Sequence, residues 1–135
     1  MTTRATGTFD VTLTPQATDA EAQGSSLARL AITKRFHGDL EATSKGEMLS
    51  AGTQTKGSAG YVAQERVTGT IDGRQGSFVL QHTGVMNRGA PGLTITVVPD
   101  SGTGDLVGLA GTMNIIIEAG RHSYEFDYEI SSAAP

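Results

Sequence analysis

Apolar and polar residues alternate with a period of two along most of this chain, and that rhythm predicts strands rather than helices. Phe9, Val11 and Leu13 alternate with Asp10 and Thr12, and Pro15 is expected to end this first strand. Residues 15–26 are small and polar, a linking loop with at most a helical turn around Ala20-Glu21-Ala22. Leu30, Ile32 and Phe36 mark a second strand with Lys34 on the same face, and Gly38-Asp39 turns the chain into a third carrying Leu40, Ala42, Ser44 and Met48 on one side. After a Gly/Ser/Thr loop at 52–60, Tyr61, Ala63, Glu65, Val67, Gly69 and Ile71 share one face of a fourth strand. Asp72-Gly73 is a hairpin signal, leading to a fifth strand over 76–83 that is apolar on both faces. Residues 84–92, with three glycines and a proline, predict a broad loop. Strand six spans Leu93 to Val98, strand seven follows a glycine-rich turn at 101–104, and residues 122–130 form strand eight beyond a hairpin at Ala119-Gly120.

Eight sequential strands with little or no helix predict an all-β fold that must hide its edges. A closed eight-stranded antiparallel barrel over the single domain 1–135 does so, and its interior either fills or holds one small ligand. A sandwich is the competing architecture. The run Gly102-Thr103-Gly104-Asp105-Leu106-Val107-Gly108 superficially suggests a phosphate loop, but that motif opens a helix and carries a lysine. Here the following residues include Met113 and Ile115-Ile116-Ile117, which favour strand.

Composition narrows the setting. The chain has 135 residues, no cysteine and a net charge of −4. Without cysteine there is neither a disulfide nor a thiolate metal site. The N-terminus lacks the apolar run of a signal peptide and no segment is long and apolar enough to span a bilayer as a helix, so a soluble, cytoplasmic protein is expected. The basic residues are scattered and tryptophan is absent, which argues against nucleic acid and anionic membranes as partners. Eighteen glycines in a β-rich chain point to turns and bends.

The stretch from Gly102 to Gly111, followed by Tyr124-Glu125-Phe126-Asp127-Tyr128, resembles the C-terminal part of allene oxide cyclases, and dirigent proteins share a related glycine pattern. The chain is more similar still to a bacterial family catalogued as domain of unknown function 3224. Gly38-Asp39-Leu40, Gly57-Ser58-Ala59-Gly60-Tyr61-Val62-Ala63, Gly76-Ser77-Phe78-Val79-Leu80-Gln81-His82 and Val97-Val98-Pro99 carry that likeness across almost the whole chain. The resemblance implies an allene-oxide-cyclase-like or lipocalin-like barrel, commonly a dimer or higher homo-oligomer, with no established activity. No cyclase residue carries over, because its catalytic residues lie outside the matched glycine motif.

Candidate chemistry centres on Glu65, which alternation places inward beside Tyr61, Ala63 and Val67. A desolvated carboxylate there serves as a general acid or base, or is an inert anchor paired with a cation or hydroxyl. Lys34 is its natural partner, unless it snorkels to the rim. With no cation beside it, the Glu65 carboxyl is expected to be raised above the usual value. His82, on the side of Phe78 and Leu80, is suited to proton transfer or closes the barrel end through hydrogen bonds. Met48, Tyr61, Phe78 and Tyr124 are expected to line the interior, and Met86 with Asn87 to form a loop over it. His37, His82 and His122 lack close spacing, so no metal is expected; no cofactor is expected either. Ser77 and His82 fall on opposite faces, a poor nucleophile pair, and no Gly-x-Ser-x-Gly elbow occurs.

Together these point to a cofactor-independent barrel binding a small, largely apolar molecule. If it is an enzyme, an isomerase or cyclase moving a proton between Glu65 and His82 is the expected class. The alternative is a non-catalytic binding or structural oligomer, in the structural case with a packed interior. Strands 76–83 and 112–118, apolar on both faces, are the expected subunit contact.

Overall fold

The computed structural model describes residues 2–17 and 27–131. Eight antiparallel strands follow in chain order: β1 (Thr3–Gln16), β2 (Leu27–Gly38), β3 (Leu40–Gly52), β4 (Ala59–Ile71), β5 (Arg74–Asn87), β6 (Ala90–Val97), β7 (Leu109–Glu118) and β8 (Arg121–Ile130). Each pairs with the next and β8 returns to β1, closing the barrel. The expected helical turn at 20–22 lies outside the described residues.

Several boundaries shift from the alternation reading, two of them with consequences. Pro15 lies inside β1 opposite Leu30, one residue before the strand ends. The broad loop expected at 84–92 is instead a tight hairpin: β5 runs to Asn87, β6 starts at Ala90, and only Arg88 (φ 50°) and Gly89 (φ 90°) turn between them. Two consecutive positive φ angles suit the right-handed twist of a two-residue hairpin, so glycines that suggest a loop are partly strand glycines. Met86 and Asn87 are therefore strand residues, and no loop lid contains them.

Glycine has a specific use on these strands. Each tyrosine faces a glycine across the sheet: Tyr124 opposite Gly7, Tyr61 opposite Gly84 and Tyr128 opposite Gly111. At Gly7 a β-carbon would sit 2.6 Å from the Tyr124 hydroxyl, and at Gly84 2.4 Å from the Tyr61 ring. The missing side chain lets an aromatic ring lie flat over the neighbouring strand while the sheet coils tightly enough to close.

One end of the barrel is filled. Phe36, Val67, Phe78, Leu80, Tyr124 and Phe126 are all essentially inaccessible there, and Phe78 stacks on Phe126 at 5.7 Å. Tyr124 ties this end to the β2–β3 turn: its hydroxyl accepts from Leu40 N at 2.9 Å and lies 3.0 Å from His37 O. The glycine-rich segment after β6 closes the floor. Because β6 pairs with β5 only from Leu80 upward, the lower part of β5 is covered instead by residues 98–105. Thr103 N donates to Ser77 O at 2.8 Å, Ser77 N donates to Thr103 Oγ1 at 3.0 Å, and Val79 N donates to Ser101 Oγ at 3.0 Å. A single turn of 3-10 helix, Gly104–Leu106, then drives Leu106 into the core. The segment leads into β7, not into a helix, so it closes a barrel and cradles no phosphate.

Candidate ligand cavity and its polar floor

The other half of the barrel is open inside. A cavity of about 620 Å³ extends from the middle of the barrel to the end bearing the β3–β4 and β5–β6 connections, within the range of small-molecule sites. Phe9, Val11 and Ile32 form one wall, Met48, Tyr61 and Met86 another, and Ile115 and His122 a third. The rim is braced by the 53–58 loop: Gly89 N donates to Gly57 O at 2.9 Å and Arg88 N to Ser58 Oγ at 3.0 Å.

Between the filled and open halves lies a belt of four buried polar residues, Lys34, Ser44, Glu65 and His82. They come from four consecutive strands. Lys34 is directly opposite Ser44, Glu65 opposite Gly46, and His82 opposite Ala63. Gly46 leaves the Glu65 side chain its space, since a β-carbon there would lie 2.8 Å from Glu65 Cβ. Every donor converges on the one carboxylate: Ser44 Oγ reaches Glu65 Oε1 at 2.7 Å, while Lys34 Nζ and His82 Nε2 reach Oε2 at 2.8 and 2.5 Å. Lys34 Nζ also sits over the rings of Phe9 (5.2 Å) and Phe36 (5.7 Å), a favourable place for a cation. The other ring nitrogen of His82, Nδ1, meets the half-buried Tyr61 hydroxyl at 3.3 Å.

These contacts overturn the expected raised carboxyl at Glu65. Desolvation pushes its pKa up, but the bond from His82 and the charge of Lys34 outweigh it and bring the group down to about 2. Lys34 does not snorkel; it is 6% exposed and bonded inward. Tyr61 moves the opposite way, raised by burial and by the Glu65 charge.

Of the residues singled out from sequence, the structure brings Glu65, His82, Lys34 and Tyr61 into one hydrogen-bonded chain, and places Met48 and Met86 on the cavity wall. Phe78 and Tyr124 are elsewhere: both pack in the filled half below the belt. Alternation puts Phe9 and Ile32 on the apolar faces of their strands and leaves the face of Ile115 open, because 112–118 is apolar on both sides; it says nothing of how high along the barrel each sits. That height is set by the strand stagger, which also brings His122 to the cavity, its ring 5.3 Å from Phe9. His37 is on the outside, 3.2 Å from Asp10. Among the described residues no three of His, Cys, Asp or Glu converge as a metal-holding group. No helix of the described residues is long and apolar enough to cross a membrane.

A closed eight-stranded barrel, filled at one end and hollow at the other above an ionised polar belt, defines the class of protein. Residues 5–128 match the family described as protein of unknown function (DUF3224), and the chain belongs to that family. A crystal structure of a DUF3224 protein of unknown function from Shewanella oneidensis MR-1 is similar over 98% of this chain and 100% of that one, with 55% identity and a TM-score of 0.94. Comparison with curated proteins finds no match. Neither the family description nor that structure carries an allene oxide cyclase label.

Proposed function

We propose that this barrel binds a small, largely apolar molecule in its open half. The observation that carries the reading is the cavity of about 620 Å³, walled by aliphatic and aromatic side chains at a level where the other half of the same barrel is packed solid. A purely structural barrel gains nothing by leaving such a volume unfilled, because voids forfeit dispersion contacts and stability. The neutral fluorophore N-phenyl naphthylamine tests this. Bound stoichiometrically, its emission rises and is quenched by apolar competitors; no saturable signal, with nothing retained in native mass spectrometry, favours the packed structural reading.

Binding is a better account than isomerisation or cyclisation through Glu65. A carboxyl held at about 2 by Lys34 and His82 stays ionised at neutral pH, so it cannot serve as a general acid there and is a weak general base. Self-association as a homodimer or larger belongs to the same proposal. Among exposed apolar residues, Leu49 and Val62 are cross-strand neighbours on β3 and β4, 56% and 50% exposed, and add a candidate contact to the strands 76–83 and 112–118. Sedimentation at high micromolar concentration is the check. A cytoplasmic setting, suggested by the cysteine-free composition, is part of the proposal too.

A further inference from the structure

The direction of the hydrogen bonds in the polar belt bears on which ligand the cavity takes, an inference that rests on the cavity being a binding site. Glu65 is ionised and only accepts. Ser44, Lys34 and His82 Nε2 all point their hydrogens at it. An uncharged imidazole that donates from Nε2 has a bare Nδ1. That atom faces the Tyr61 hydroxyl at 3.3 Å, so the phenol donates inward to it. The lone pairs of the Tyr61 oxygen are then what this side chain offers to the cavity it lines.

A doubly protonated His82 would reverse the chain, with Nδ1 donating and the phenol hydrogen turned to the cavity. The charges of the belt disfavour it. Lys34 already balances Glu65, and the remaining buried polar side chain among the described residues, Ser44, is neutral. A second buried cation would stand without a counter-charge. The Lys34 ammonium is committed to Glu65 and to the faces of Phe9 and Phe36, and a carboxylate ligand would have to compete with Glu65 for it.

We propose that the cavity takes an uncharged molecule whose polar end is a hydrogen-bond donor, an alcohol or phenol hydroxyl seated on the Tyr61 oxygen, in preference to a matched ether, ketone or carboxylate. The paired Glu65 and Lys34 leave the belt without net charge, so it holds no unpaired cation for an anionic ligand. Burial and the Glu65 charge keep the Tyr61 phenol protonated.

Four ligands with one apolar body test this: naphthol, methoxynaphthalene, acetylnaphthalene and naphthalene carboxylate, titrated by calorimetry against the intact protein and against Tyr61→Phe. Naphthol is expected to bind about tenfold more tightly than the ether and the ketone, with the carboxylate weakest. In Tyr61→Phe the naphthol preference over the ether disappears while ether binding persists. Equal affinities, tighter binding of the ketone or carboxylate, or a naphthol preference that survives Tyr61→Phe each overturn the donor assignment and leave the cavity reading standing. Failure of all four ligands overturns both. The wild-type series alone decides the ligand preference if Tyr61→Phe does not fold.

Discussion

Glu65 is surrounded by donors, and its charge is the centre of the buried belt rather than an intrusion into it. Its folded pKa of about 2 lies below the ordinary 4.5. A depressed carboxyl stabilises the fold above its unfolded pKa, and that contribution is lost as pH falls from near 4.5 through about 2. Glu65→Gln is therefore expected to destabilise the protein at neutral pH by about 3 kcal/mol, because Lys34 is left buried without its counter-charge. The variant should also lose part of the acid limb of the wild-type stability curve. Urea denaturation of both proteins at neutral pH and near pH 3 checks the sign, since the difference shrinks at the lower pH. A Gln variant as stable as wild type at neutral pH would mean that the ion pair contributes nothing net. Tyr124 makes a second, independent case. Its hydroxyl is the partner of the buried Leu40 N–H, so Tyr124→Phe orphans a backbone donor at an otherwise close-packed turn and should cost about 1–3 kcal/mol. The same denaturation measurement reads it.

At the scale of the strands, alternation identifies inward faces well and endings poorly. Ile32, Lys34 and Phe36 on β2, and Ala63, Glu65 and Val67 on β4, face inward as their period predicts, because a closed barrel enforces the pleat on every strand. The hairpin at Arg88-Gly89 is hidden in the sequence because Gly84, Gly89 and Gly92 look alike there. In space only Gly89 of the three has a turn conformation, while Gly84 makes room for a ring. Two glycines of adjacent barrel levels accordingly predict opposite outcomes. In Gly84→Ala the new methyl meets the Tyr61 ring, a half-buried side chain that can swing into the cavity. The protein should stay folded and lose affinity for N-phenyl naphthylamine by several-fold. In Gly46→Ala the methyl meets Gln64 O at 2.0 Å, a backbone atom of a paired strand. That clash has no side-chain escape, so thermal stability falls first; overpacking of this kind costs about 1–3 kcal/mol or more. Thermal melts and probe titrations on the two variants separate the effects.

The whole molecule divides into halves that a one-dimensional pattern does not distinguish. From sequence, Phe78 and Tyr124 count with Met48 and Tyr61 as residues lining the interior, although strand 76–83 is apolar on both faces and alternation alone does not choose its inward side. What separates them is height along the barrel axis, set by register and stagger across eight strands, together with the 98–106 segment that fills the lower end with Leu106. The division predicts an asymmetric response to added volume. Ile115 lines the cavity and is partly buried, so Ile115→Trp places its extra atoms in empty space. Stability should change by less than about 1 kcal/mol, because cavity filling costs little strain, and saturable probe binding should disappear. Val67 is fully buried in the packed half beside Phe78, where the same change has no room. Val67→Trp should lower the melting temperature by many degrees, since overpacking a filled core forces its neighbours off their rotamers. Measured together, the two variants also report on the cavity without reference to any ligand. If Ile115→Trp proves as damaging as Val67→Trp, the upper half of the barrel is not open in solution, and the binding function proposed for it fails with that result.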